Sequence, residues 1–270
     1  MQLENIAFIG AGKMATAIAA GLVEKKLLPG EKIFAYDVLE SAGKAFQQAV
    51  PGANFEKNLA GLLSKSSFIV LAVKPQYVKE ALAGAEALLQ GKVLFSICAG
   101  VSMDVLKSLT GCEKIIRVMP NTPALVGEGM SAFACNAAIT EEEKAAAESV
   151  LQAIGKARML PETLLDAVTG LSGSGPAYVI EFILALADGG VYMGLPRDAA
   201  YEMALQTVAG TAEMLKKSSL HPAAARDAVI SPGGTTARGV AALDAGRFRH
   251  TVMQAVIQSA ERSAELGKKV

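Results

Sequence analysis

Apolar residues in this chain fall into short unbroken runs up to about residue 160 and into long spaced stretches after it. Ile6-Ala7-Phe8-Ile9, Phe68-Ile69-Val70-Leu71-Ala72-Val73 and Val93-Leu94-Phe95-Ser96-Ile97 are the clearest of the runs. Runs of this length without polar alternation suit strands covered on both faces of a parallel sheet. Further strands are predicted over residues 32–37, 53–55, 115–118, 130–134 and 157–160. Helices are predicted between them, over residues 16–22, 42–50, 59–63, 78–89, 102–109 and 140–154, with Ser102 as an amino cap. Alternating strands and helices of this kind imply an α/β fold with a parallel, doubly wound sheet.

Past residue 162 the pattern changes and no strand is evident. Helices are predicted over residues 177–192, 197–216, 222–229, 236–244 and 247–266, so the chain divides into an α/β domain, 1–162, and an all-α domain, 163–270. Between residues 167 and 215 the only charged side chains are Glu181, Asp188, Arg197, Asp198, Glu202 and Glu213. Helices this apolar cannot all face water on one side. A lone domain of roughly a hundred residues would expose a large apolar patch. A second subunit covering these helices is the expectation, with one deeply buried central helix as the rival.

The first strand leads into Gly10-Ala11-Gly12-Lys13-Met14-Ala15. Strand, glycine turn and helix make the first half of a dinucleotide-binding βαβ unit of Rossmann type. Gly10 permits the turn, Gly12 lets the backbone approach a pyrophosphate, and Ala15 lets the helix pack on the strand. The helix amino terminus supplies free N–H groups and a positive dipole end. Asp37 closes the second strand, where a carboxylate binds both ribose hydroxyls and repels a 2′-phosphate. Residues 38–43 hold no Arg or Lys to receive such a phosphate, which favours NADH. Asp37 also reads as an amino cap for the next helix, and a ligand-free turn would use the same glycines.

Ligands sit at the carboxyl ends of strands in such sheets. Ala72-Val73-Lys74-Pro75, Ala99 and Met119-Pro120-Asn121-Thr122-Pro123 occupy three of those ends. Lys74 reads equally as a cofactor contact or a solvated loop lysine. Two loops in the helical part precede helices: Thr169-Gly170-Leu171-Ser172-Gly173-Ser174-Gly175-Pro176 and Ser231-Pro232-Gly233-Gly234-Thr235-Thr236. Each can present N–H groups and hydroxyls to a carboxylate, and each also reads as ordinary capping.

The totals narrow the classes. The chain has 270 residues, 51% hydrophobic and 19% charged, with zero formal net charge. It has core material to spare and no field directed at nucleic acid or acidic membranes. No window of eighteen residues is free of charge, and the amino terminus lacks a basic leader, so neither a membrane span nor a signal peptide is expected. Cys98, Cys112 and Cys135 fit no zinc or disulfide spacing and suggest reduced thiols in a cytoplasmic protein. No metal site is expected, and His221 and His250 read as surface or capping residues.

Five motifs in order resemble the pyrroline-5-carboxylate reductase family over the whole chain. They are residues 8–14, Val73-Lys74-Pro75-Gln76, residues 117–123, Leu171-Ser172-Gly173-Ser174-Gly175-Pro176-Ala177-Tyr178, and residues 231–236 followed by Leu243-Asp244. The resemblance implies a Rossmann domain, an interlocking all-helical dimerisation domain, rings of dimers in some members, and an active site completed by the partner. It implies hydride transfer from NAD(P)H to the C=N carbon of 1-pyrroline-5-carboxylate, giving L-proline. Thr236 would hydrogen-bond the ring nitrogen, while Ser231, Gly234 and Thr235 would hold the substrate carboxylate. Met119, Pro120, Asn121 and Ala99 would line the nicotinamide pocket, with Lys74 and Pro75 nearby. Many members prefer NADPH, so Asp37 departs from the family habit, as do Ser218 and Ser219 before His221. Related β-hydroxy-acid dehydrogenases use a lysine in the helix that here spans 177–186, and no lysine or histidine stands there. An imine reductase for another substrate and a non-catalytic NAD(P)H-binding protein are the alternatives.

Overall fold

A computed structural model describes residues 3–268. Its strands are β1 Ile6–Ile9, β2 Ile33–Tyr36, β3 Asn54–Phe55, β4 Phe68–Leu71, β5 Val93–Ser96, β6 Lys114–Met119, β7 Gly129–Cys135 and β8 Gly155–Met159. They form one eight-stranded sheet in the order β3-β2-β1-β4-β5-β6-β7-β8. Helices α1 Lys13–Glu24, α2 Glu40–Ala49, α3 Leu59–Leu63, α4 Val78–Ala81, α5 Glu86–Leu89, α6 Met103–Thr110 and α7 Glu141–Gln152 connect them. After β8 come α8 Leu165–Val168, α9 Gly175–Tyr192, α10 Arg197–Lys217, α11 Pro222–Val229, α12 Thr235–Ala245 and α13 Phe248–Gly267.

Strand side chains alternate between two cores, as period-two geometry requires. Ile6, Phe8, Phe68, Val70 and Phe95 pack with Ile18, Leu22 and Phe46 of α1 and α2. Ala7, Ile9, Ile69, Leu71 and Leu94 pack with Leu62, Leu82, Leu89 and Leu106 on the other face. With helices on both faces, β1, β4 and β5 are apolar at nearly every position.

Three expectations need correction. The sheet is parallel from β3 to β6, but β7 runs antiparallel to β6 and carries the parallel β8 with it. Residues 120–128 alone join β6 to β7, fewer than a parallel crossover requires. The predicted helix over 78–89 is two short helices, because Gly84 turns left-handed at φ +75° between them. The Gly/Ser segment after Val168 is no loop before a helix. Residues 169–173 form a π turn within one helical stretch, Glu162–Tyr192.

Contacts divide the chain into two compact units, one reaching Ser174 and taking in the segment from Ile257 on, the other Gly175–Val256. The first holds the sheet. The second is built on α9 and α10, with Ile183, Ala187, Ala200 and Ala204 as its small buried core. The Tyr178 hydroxyl donates to the Ala255 carbonyl at 3.1 Å, and Phe182 and Phe248 pack with ring centroids 5.7 Å apart. Val179, Ile180, Leu184, Tyr192, Met193 and Met203 of this unit remain exposed. By length and composition, the stretch Glu162–Tyr192 also satisfies the requirements of a membrane-crossing helix among the described residues.

Candidate active site

Strand order reverses between β1 and β4, and the crevice beyond their carboxyl ends is where such sheets bind ligands. Gly10 follows β1 at φ +98°, and a Cβ there would stand 2.6 Å from the Ala72 carbonyl oxygen. Both its left-handed backbone and its closeness to β4 demand glycine. Gly12 is the opposite case: it is exposed, and no atom lies within 4 Å of the point a Cβ would occupy. It is the amino cap of α1, no side chain caps that helix, and the first turn carries no acidic residue. The N–H groups and the positive dipole end therefore stay available to an anion. Ala11 and Ala15 are buried, Met14 is half-buried and Lys13 exposed. This open glycine cradle fits a dinucleotide pyrophosphate.

Asp37 stands one residue past β2. Its Oδ2 accepts the Ala11 N–H at 2.9 Å and its Oδ1 accepts the Leu39 N–H at 2.9 Å. The carboxylate thus ties the glycine turn to the approach of α2, and each oxygen keeps a lone pair for a ribose hydroxyl. A cleft of about 600 Å³ opens beside it, lined also by Val38, Glu40, Lys44, Glu56 and Lys57. Lys44 and Lys57 were not legible as neighbours of Asp37. One lies a helical turn beyond Glu40 and the other follows β3, which only the fold brings alongside.

At the end of β4, the Ala72 N–H donates to the Ile9 carbonyl at 2.8 Å. The Val73 carbonyl accepts from the Cys98 thiol at 3.2 Å. Burial pushes that thiol up to about 11, so it remains protonated and unreactive at neutral pH. Cys112 is buried too, and Cys135 half-buried; all three are free. Lys74 is exposed and begins the 3₁₀ turn Pro75–Tyr77, while Pro75 and Ala99 are half-buried.

Met119 closes β6, with buried Pro120 and half-buried Asn121 behind it. Asn121 is bound at both ends: Oδ1 accepts the Met130 N–H at 2.9 Å, and Nδ2 donates to the Ser172 carbonyl at 3.1 Å. Behind the same strand lies a network that the sequence did not single out. Arg117, its side chain only 7% exposed, pairs with Glu162 at 3.2 Å and Asp166 at 3.3 Å. Asp166 also accepts the Ser263 hydroxyl at 2.7 Å, and Glu162 accepts the Met103 N–H at 2.8 Å. An arginine inside the apolar run 115–118 was the available signal.

In the second unit, Ser231 and Gly234 close a turn through the Gly234 N–H and the Ser231 carbonyl at 3.0 Å. Gly233 lies at φ +69°, and Gly234 caps α12 with no side-chain hydrogen bond. A side chain at Gly234 would make the Ser231 hydroxyl turn away. Thr235 is exposed and Thr236 half-buried, in the first turn of α12, where N–H groups have no helical partner. Serine, glycine and the two threonines are thus brought together, whereas the glycine turn, Asp37 and Asn121 belong to the first unit. His221 caps α11, its Nδ1 accepting the Ala223 N–H at 3.2 Å, and His250 is exposed on α13.

Residues 162–266 match the family model described as pyrroline-5-carboxylate reductase dimerisation. Residues 5–100 match that of NADP oxidoreductase, coenzyme F420-dependent. Over 273 aligned residues the chain is 43% identical to a pyrroline-5-carboxylate reductase of Arabidopsis thaliana, covering 98% of this chain and 96% of that one. The chain belongs to the pyrroline-5-carboxylate reductase family. A family member from Synechocystis is also 43% identical, covering 98% of this chain and 99% of its own. The solved structure of the Plasmodium falciparum pyrroline carboxylate reductase with NADP bound superposes with a TM-score of 0.90 at 34% identity, covering 99% of both chains. The family and its two-part architecture are those that the five motifs imply.

Proposed function

We propose that this chain reduces 1-pyrroline-5-carboxylate to L-proline with NAD(P)H, the last step of proline biosynthesis. The observation that carries the reading is likeness to pyrroline-5-carboxylate reductases at about two residues in five along the full chain, in both parts. The open glycine cradle supports NAD(P)H, whose nicotinamide supplies the hydride when bound. Gly10, Ala11, Gly12, Lys13 and Met14 would hold the pyrophosphate and Asp37 the adenosine ribose. Ala72, Val73, Lys74, Pro75, Ala99, Met119, Pro120 and Asn121 would border the cofactor along the strand ends. The uncapped turn at Gly234 supports a carboxylate site made by Ser231, Gly234 and Thr235, chiefly through N–H groups. Thr236 would hydrogen-bond the ring nitrogen and orient the C=N bond.

This chemistry asks little of the side chains. The imine nitrogen takes its proton from water before binding, so no strong acid is required; orientation and exclusion of water are. Self-association belongs to the same reading, supported by the dimerisation-domain match and the exposed apolar side chains of α9 and α10. Rings of dimers and a cytoplasmic setting complete it. We take the apolar stretch Glu162–Tyr192 as subunit interface rather than lipid contact, since Glu181 and Asp188 interrupt it.

Purified protein with pyrroline-5-carboxylate and NADH or NADPH should form L-proline and oxidised cofactor in equal amounts. Cofactor binding without proline would overturn the reading, and turnover only with other imines would move the chain among general imine reductases.

A further inference from the structure

Asn121 and Pro176 solve one hydrogen-bonding problem between them. A continuous α-helix through residues 172–176 would need the N–H of residue 176 to reach the Ser172 carbonyl. Proline has no N–H and its ring crowds that carbonyl. The helix widens instead: the Ser174 N–H reaches back to Thr169 at 2.9 Å, and residues 169–173 become a π turn. Ser172 is half-buried, where a carbonyl left unpaired is costly. Asn121 Nδ2 fills it at 3.1 Å, while its Oδ1 takes the Met130 N–H at 2.9 Å. Gly173 lies against the Met119 methyl, so a side chain there would make that methyl shift. One amide thus fastens the end of β6, the start of β7 and the π turn.

We propose that Asn121 is a positioning residue for hydride transfer, supplying from its side chain the N–H that Pro176 withholds and thereby fixing Met119 and Pro120 at the nicotinamide face. The inference rests on the reading above that this strand end borders the nicotinamide. Cofactor affinity is set mainly at the glycine turn and Asp37, so loosening residues 119–121 acts on chemistry more than on binding.

The test is a double-mutant cycle of N121A and P176A, with N121D as a second probe at position 121. N121D keeps the acceptor for Met130 but faces the Ser172 carbonyl with a second oxygen. Expected for N121A and N121D is a kcat about 10-fold lower or more, with the NADPH dissociation constant within about 2-fold. The isotope effect with NADPH deuterated at C4 should rise. Mere loss of folded enzyme would leave that isotope effect unchanged. In the P176A background, where residue 176 regains an N–H, N121A should cost markedly less in both kcat and Tm. Equal costs of N121A in both backgrounds, or an unchanged isotope effect, would overturn the proposal. Absence of imine reduction by the parent protein would instead defeat the functional reading, while the coupling in Tm would still report on the amide bridge.

Discussion

At residue scale, the informative positions are those where a polar group has a fixed partner. Asp37 reads from the sequence as a ribose ligand or a cap; the structure makes Leu39 the amino cap of α2 and gives Asp37 another task, accepting the Ala11 N–H from the glycine turn. Asp37→Ala should therefore weaken both cofactors by loosening the turn. NADPH should lose less, because the substitution also removes a negative charge facing the 2′-phosphate in a cleft that contains Lys44 and Lys57. Titrating each cofactor by fluorescence checks this: NADH should weaken about 10-fold and NADPH clearly less, roughly 1.4 kcal/mol for the former. Equal losses would refute the ribose assignment. Thr236 is the half-buried one of two threonines in the first turn of α12, beside a bare Gly234 cap. Thr236→Ala should lower kcat/KM by about 10- to 100-fold, roughly 1.4–2.7 kcal/mol, with Thr236→Ser recovering most of it. Wild-type rates in the alanine variant would rule the role out. Glycine turns and threonine-rich loops are legible because their chemistry lies in consecutive residues. Asn121 with Ser172, or Asp37 with Ala11, are pairings across the fold that no spacing announces.

At the scale of elements, the strand runs were easy to read because burial on both faces leaves no polar alternation to confuse them. What the runs do not encode is direction. The turn of β7 follows from the shortness of residues 120–128, a matter of loop reach rather than of hydrophobic pattern. The π turn was hidden for a related reason: glycine, serine and proline suit a loop, and only continuation of the helix on both sides recasts them. The Arg117 network shows how β6 is joined to the helices around it. Arg117 reaches Glu162 and Asp166, and Asp166 in turn holds Ser263 on α13. Removing the cation leaves two carboxylates without it, yet each keeps about a third of its side-chain exposure, 31% and 33%. Arg117→Met should cost about 3 kcal/mol, the lower end for breaking a buried pair, and Ser263→Ala about 1.5 kcal/mol. Urea unfolding of both variants measures this. A Ser263→Ala loss as large in the Arg117→Met background as in the parent would show that the two contacts do not act as one network.

At the scale of the whole molecule, the second unit poses a problem of surface. Its buried core consists of Ile183, Ala187, Ala200 and Ala204, three of them alanines. Against that stand Val179, Ile180, Leu184, Leu186, Met203 and Leu205, all exposed. Burying a side chain of this size is worth about 1.5–3 kcal/mol, so six such residues together outweigh what one isoleucine and three alanines supply. A chain with this balance is stable when a partner covers the face. That was legible from the scarcity of charge between residues 167 and 215, because composition reports exposure even where geometry is unknown. The parent protein should therefore sediment as a dimer or a multiple of dimers across micromolar concentrations, with unfolding that shifts upward as concentration rises. Ile180→Asp places a charge in the middle of the apolar face of α9. It should yield monomers or small, less stable species, and imine reduction should fall with the dimer fraction. A parent chain that sediments as a stable, folded monomer would overturn the assignment of this face. So would full activity in a monomeric Ile180→Asp variant, because the site would then be complete within one chain.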